Sequence, residues 1–383
     1  MSTRVSVAPD LYRWACERSR VDEGELNRKY PKLREWAAGE QQPTLKQLER
    51  FARSTKTPIG YFFLSEAPEE RLPVADFRTL PDTADARPSP DLLDTIYTMQ
   101  LRQSWLRESL IDDHADPLPF VGSARLVDPP DAVGREMRRA LGLDGGWASE
   151  VRTWQDAVSE LRRAVERIDV MAVINGVVGN NTHRQLDVEE FRGFALADPY
   201  APLIFVNGAD AKSAQMFTLA HELAHIWLGE EGLSGFEFLL PGGTDVEEWC
   251  NRAAAEFLAP AREFRARWEE TKRAASPYEE LARAFKVSPV VAARRALDLR
   301  LVSRSEYFDF YRDYVGRVHG PDASSGGGDF YNNQNTRVGE LFAAQVLHAA
   351  LEGRIGFKEA YNLTGLRGGT FQKYARRLGF DLP

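Results

Sequence analysis

Two histidines four residues apart, with a glutamate beside the first, constrain this chain more than any other feature. In His221-Glu222-Leu223-Ala224-His225, helical spacing brings both imidazoles to one face, with Cβ atoms about 5–6 Å apart. A zinc ion takes neutral imidazoles or carboxylates at about 2 Å and, where it does chemistry, keeps one position open for water. Glu222 points to the side of the same cleft, where it can accept a proton from metal-held water and pass it to a leaving amine. The pattern therefore predicts a zinc site with His221 and His225 as ligands and Glu222 as catalytic base.

The flanking sequence fits a helix lying against a small sheet. Asp210 can cap a helix that runs to about Leu228, and Thr218 and Ala220 keep it slim around the metal. Residues 170–178, Phe191–Leu196 and Leu203–Asn207 read as three strands, with the segment Asp198–Pro202 turning between the last two. The strand before the motif can pair with an extended substrate, or serve as ordinary sheet core. A third ligand is expected from a second helix, capped by Thr244 or Asp245 and stopped by Pro260. On it Glu247, Asn251, Ala254 and Ala255 share one face. Glu248, about 100° round the helix, competes with Glu247, and a solvated face is the alternative for either carboxylate.

The runs Phe191–Asp198, Pro202–Gly208 and Phe217–Gly229, followed by Glu247, Asn251, the segment Ala254–Leu258 and Pro260, resemble the ImmA/IrrE family over about residues 165–262. The resemblance implies a gluzincin-like peptidase: His221, His225 and Glu247 as ligands of Zn2+, and Glu222 as catalytic base. Family members are similar to proteases that cut a partner repressor and so release mobile-element or stress-response genes. The implied partner is a protein substrate, either a repressor or a toxin-like protein. The rival expectation is a DNA-binding regulator, or the antitoxin of a toxin–antitoxin pair, with a silent metal site.

Residues 9–66 read as short helices, among them one capped by Thr44, and resemble the Xre/Cro-like helix-turn-helix that precedes some ImmA/IrrE domains. Arg28, Lys29, Lys32 and Arg34 would be its contacts to DNA. The stretch from Leu26 to Trp36 is short for two helices and a turn, and Pro31 sits where the recognition helix should begin. DNA binding and protein docking or a structural role therefore stand side by side. Residues 1–60 carry twelve Lys/Arg against eight Asp/Glu, while the whole chain has a net charge of −8. This basic head on an acidic body permits a small nucleic-acid contact and excludes a nucleic-acid-coated protein.

With 383 residues, several domains are expected. The fold class is α+β, mostly helical. A helix-turn-helix-like domain spans 1–75 and a helical linker region 76–150, with Pro-rich residues 66–90 where they join. A zinc peptidase core spans 151–300 and a helical tail 301–383. Helices are predicted at Pro90–Ile111, Asp131–Leu143, Trp147–Ile168 and Pro277–Val315. After a break at Ser324–Gly328 come Thr336–Leu351 and Phe357–Leu378, the last with a helix–turn–helix rhythm read as a helical hairpin. No apolar run is long enough to span a membrane and the N-terminus lacks an apolar signal core, so a cytoplasmic protein is expected. The two cysteines, Cys16 and Cys250, are expected to be reduced. His114, His183, His319 and His348 stand alone and read as surface or core residues, His183 on a loop that could line the cleft.

Overall fold

The computed structural model describes residues 4–75, 87–143, 145–234, 244–318 and 330–381. His319, the break at Ser324–Gly328 and part of the Pro-rich stretch at 66–90 lie outside the described residues. The chain divides into two compact units, one of residues 1–73 and 80–97, the other of residues 74–79 and 98–383.

The first unit holds α1 (Pro9–Ser19), α2 (Glu23–Lys29), α3 (Leu33–Ala37), α4 (Leu45–Ser54) and a 3-10 turn at Ile59–Phe63. Thr44 caps α4 through a reciprocal bond pattern with Gln47, as its Thr-x-x-Gln spacing dictates. The helices are short because each is held by one aromatic core. Tyr12, Trp36, Phe51 and Phe62 are fully buried, with Tyr12 5.8–6.1 Å from the other three rings. The ion pairs Arg18–Glu70 and Lys56–Asp91 tie later residues of the unit to it. The start of α5 (Pro90–Asp112) belongs to this unit and its remainder to the second.

The second unit opens with α6 (Pro130–Ala140), α7 (Trp147–Glu150) and α8 (Trp154–Glu166). The single helix expected over 147–168 is two, because Val151 is extended and Thr153 caps a new start on Asp156. Next come β1 (Met171–Asn175), β2 (Val177–Val178), β3 (Asn181–Gln185), β4 (Gly193–Leu196) and β5 (Leu203–Asn207). The single strand expected at 170–178 breaks at Asn175, whose side chain accepts from Val177 N–H at 3.2 Å and donates to the Gly179 carbonyl at 2.7 Å. The chain then turns into a β2–β3 hairpin, which puts His183 on an exposed strand rather than a loop.

The motif helix α9 (Lys212–Leu228) follows, then β6 (Gly232–Ser234) and α10 (Asp245–Leu258). The four-stranded sheet runs β1-β5-β4-β6, with β1 parallel to β5 and the other pairs antiparallel. Alternate residues of these strands, among them Ala172, Ile174, Ala195, Ile204 and Val206, share a core with Met216, Leu219, Ala220 and Leu223 of α9. On α9 the expected cap, Asp210, gives way to Ala211, which makes no side-chain cap bond. One Asp210 oxygen is drawn instead to Arg192, at 2.8 Å.

The rest is helical: α11 (Ala261–Thr271), α12 (Pro277–Phe285), α13 (Pro289–Asp298), α14 (Arg304–Val318), α15 (Phe330–Val338), α16 (Glu340–Leu351), α17 (Phe357–Thr364) and α18 (Gly368–Arg377). The expected stretches at 277–315, 336–351 and 357–378 are thus each divided, the last at Gly365–Arg367. Among the described residues no helix is long and apolar enough to cross a membrane.

Candidate metal centre

His221 and His225 lie one turn apart on α9, and Glu247 enters from the first turn of α10, whose start is fixed by Thr244 accepting from Glu247 N–H. The two Nε2 atoms are 3.1 Å apart, and each is 3.2 Å from one oxygen of the Glu247 carboxylate. His221 is 1%, His225 0% and Glu247 7% exposed. Among the described residues, this trio is the one group of His, Cys, Asp and Glu side chains whose donor atoms converge closely enough to hold a metal ion. Glu248, the competing candidate, is exposed on the far side of α10.

The donors fit a divalent cation. Ligand atoms at 2.0–2.2 Å in a tetrahedron stand about 3.3–3.6 Å from one another, and the three edges here, at 3.1–3.2 Å, are slightly shorter. Three acceptor groups facing one point inside a buried site also need a positive centre between them. The electrostatics prepare His225 and Glu247 as ligands, while His221 must give up a proton to become one. Burial pushes His225 down, towards its neutral form. Burial would raise Glu247, but the two histidines outweigh it and hold the carboxylate well below its usual range. Burial lowers His221 as well, and there the charge of Glu247 wins and raises it. Cys250, fully buried on α10, is pushed up and remains a thiol, and Cys16 is half-buried and also free.

Glu222 is 0% exposed. Burial, reinforced by the charge of Glu247 and opposed by His221, pushes its carboxyl up to about 8. A cation in the adjacent site would draw it back down into the range of a working base. Its position depends on Gly193 of β4. A Cβ there would stand 2.9 Å from Glu222 Oε1, 2.6 Å from Thr218 Cγ2 and 2.9 Å from the Phe205 carbonyl. Ser234 of β6, buried beside Glu222, also acts on the carboxyl. The sequence reading missed both residues. An isolated glycine inside a strand pattern was the available signal for Gly193, whereas the three-residue β6 carries none.

The four N-terminal cations, Arg28, Lys29, Lys32 and Arg34, are exposed. They fall on the end of α2, the turn after it and α3, which has five residues and is therefore about 7.5 Å long.

A buried histidine pair on a helix against a small mixed sheet, with an acidic third donor from the next long helix, makes a group that could hold a metal ion. Residues 176–297 match the model of peptidase family M78, described as the IrrE N-terminal-like domain. Residues 176–297 thus form a peptidase-type domain of that family. Residues 338–377 match a domain of unknown function, DUF8813. A comparison with curated proteins finds no match.

Proposed function

We propose that this protein is a zinc-dependent endopeptidase that cleaves a specific regulatory protein such as a repressor. The observation that carries the reading is the convergence of His221, His225 and Glu247 at 3.1–3.2 Å with buried Glu222 next to His221. His221, His225 and Glu247 would hold the ion. When bound, zinc supplies an acidified water and polarises the scissile carbonyl. Glu222 takes a proton at its carboxylate as water attacks, then returns it to the departing amine, so its charge state is restored at each turnover.

Selectivity is supported by the sheet edge. On the outer side of β6, Leu233 N–H donates to the Ala75 carbonyl at 2.9 Å, and Val74 next to Ala75 is 7% exposed. An extended chain that pairs with Leu233 on this edge must compete with Ala75. That favours a substrate bringing binding energy from outside the cleft over any unfolded peptide. The test is incubation of the zinc-loaded protein with its co-encoded candidate partner and mass-spectrometric mapping of the products. Cleavage at a single site, absent with Glu222→Gln, is the expected result. Zinc-loaded protein that cuts nothing would overturn the reading.

A further inference from the structure

The geometry points to α18 as a helix that docks into the major groove of duplex DNA, making the C-terminal helical domain a nucleic-acid contact of its own. α17 and α18 are joined by three residues, Gly365-Leu366-Arg367. Gly365 adopts φ 70 and closes α17 with its N–H on the Tyr361 carbonyl. A three- or four-residue turn containing glycine is the connection found in a helix-turn-helix, whose second helix is the one that enters the groove. Leu363 at the end of α17 and Leu366 in the turn are buried, and Tyr361 of α17 meets Phe371 of α18 edge-on at 5.1 Å. Phe380, just beyond α18, meets His348 of α16 edge-on at 4.7 Å. Arg102 of α5 donates to the Leu363 carbonyl at 3.0 Å and fixes the end of α17. The unit is therefore a braced three-helix assembly.

Its outward face has the chemistry that DNA requires. Phe371, Tyr374 and Ala375 point into the core. On the opposite side lie Gly369, Gln372, Lys373 and Arg376, all exposed, with Arg367 exposed at the helix start. No exposed residue of α18 is apolar, so the face lacks the buried apolar centre a protein interface needs. From residue 360 to residue 380 the sequence has four Lys/Arg and no Asp/Glu, in a chain whose net charge is −8. A Cβ on Gly368 or Gly369 would meet nothing within 4 Å, so the first turn presents bare backbone that can come close to base edges. One helical turn on, Gln372 and Lys373 are side chains that read adenine and guanine in the major groove, and Arg376 is placed for phosphate. With ten residues, α18 is about 15 Å long and fits a groove about 12 Å wide. The five-residue α3 has about half that length, and the narrow major groove of A-form RNA admits no such helix.

The test measures binding of the full-length protein to a short fluorescent DNA duplex, and to an RNA duplex of the same sequence, between about 50 and 200 mM salt. Three proteins are compared: the natural chain, Lys373→Glu/Arg376→Glu, and Arg28→Glu/Lys32→Glu. The natural chain should prefer DNA. The C-terminal double variant should lose at least about tenfold in affinity and flatten the slope of log K against log salt by about 1, the roughly 0.9 expected for the phosphate contact of Arg376. Should that variant unfold by circular dichroism, Lys373→Gln/Arg376→Gln replaces it, with the same slope change expected. The inference is overturned if the natural chain binds no duplex at the lowest salt, or if RNA binds as tightly as DNA. It is also overturned if binding falls only in the N-terminal variant.

Discussion

The carboxylate of Glu247, on α10, stands 3.2 Å from Nε2 of His221, on α9, with the second oxygen at the same distance from His225. One side chain thus joins two helices at a point where three buried donors face inward. Held there, a cation would also act as a cross-link between α9 and α10. Elemental analysis of the purified protein should find about one zinc per chain, as a single site requires. His221→Ala and Glu247→Gln should each lose most of it. A His221→Ala protein that retains its full zinc would remove this site from consideration.

Chemistry and ligation separate at Glu222. Its carboxyl is fully buried but is not one of the three converging donors. Glu222→Gln should keep zinc and fold, and slow cleavage by about 10²–10⁴-fold, the usual contribution of a positioned base. A variant that cuts the partner at a near-natural rate would show that another group moves the proton.

Gly193 carries a sharper expectation than its position in a strand suggests. Gly193→Ala would press a methyl group on Thr218, on the Glu222 carboxyl and on the Phe205 carbonyl. Overpacking of this kind costs about 1–3 kcal/mol. Urea unfolding should show that loss, and cleavage should fall further than stability does because Glu222 is displaced. Unchanged unfolding and unchanged cleavage would mean that β4 yields without disturbing the site.

The far end of α10 is held by charge. Glu256 and Arg295, each 3% exposed, form an ion pair, and Arg135 reaches the other Glu256 oxygen at 3.3 Å. Glu256 also accepts from Ala261 N–H, at the start of α11, at 3.1 Å. Glu256→Ala leaves a buried guanidinium uncompensated and should destabilise the fold by about 3–5 kcal/mol. Chemical denaturation would measure it, and a loss below about 1 kcal/mol would show that water or rearrangement replaces the carboxylate.

Because Ala75 already takes the outward Leu233 N–H of β6, the zinc-loaded protein should leave casein and other unfolded chains intact while cutting its partner. Gel assays over a range of enzyme concentrations would decide this. Broad digestion would mean that the edge opens freely.

The active helix was legible from sequence because its information is local. Four-residue spacing fixes both histidines to one face of α9 whatever surrounds them, and Glu222 comes with them. The strands at 191–196 and 203–207 were equally plain, being short apolar runs bounded by turn residues. The choice between Glu247 and Glu248 was not, since neighbouring carboxylates on a helix differ only in direction. Direction acquires meaning when α10 packs against α9, burying one carboxylate at the histidines and leaving the other in solvent. The same holds for Gly193 and Ser234, brought to Glu222 by sheet pairing between residues distant in the chain. At the other end, the sequence showed the helix–turn–helix rhythm of residues 357–378 but not which side of α18 faces out. Packing of Phe371, Tyr374 and Ala375 decided that, and with it the outward face of Lys373 and Arg376. Spacing along one element is set by backbone geometry and can be read from the chain. Convergence between elements is set by side-chain packing and exists only once the chain has folded.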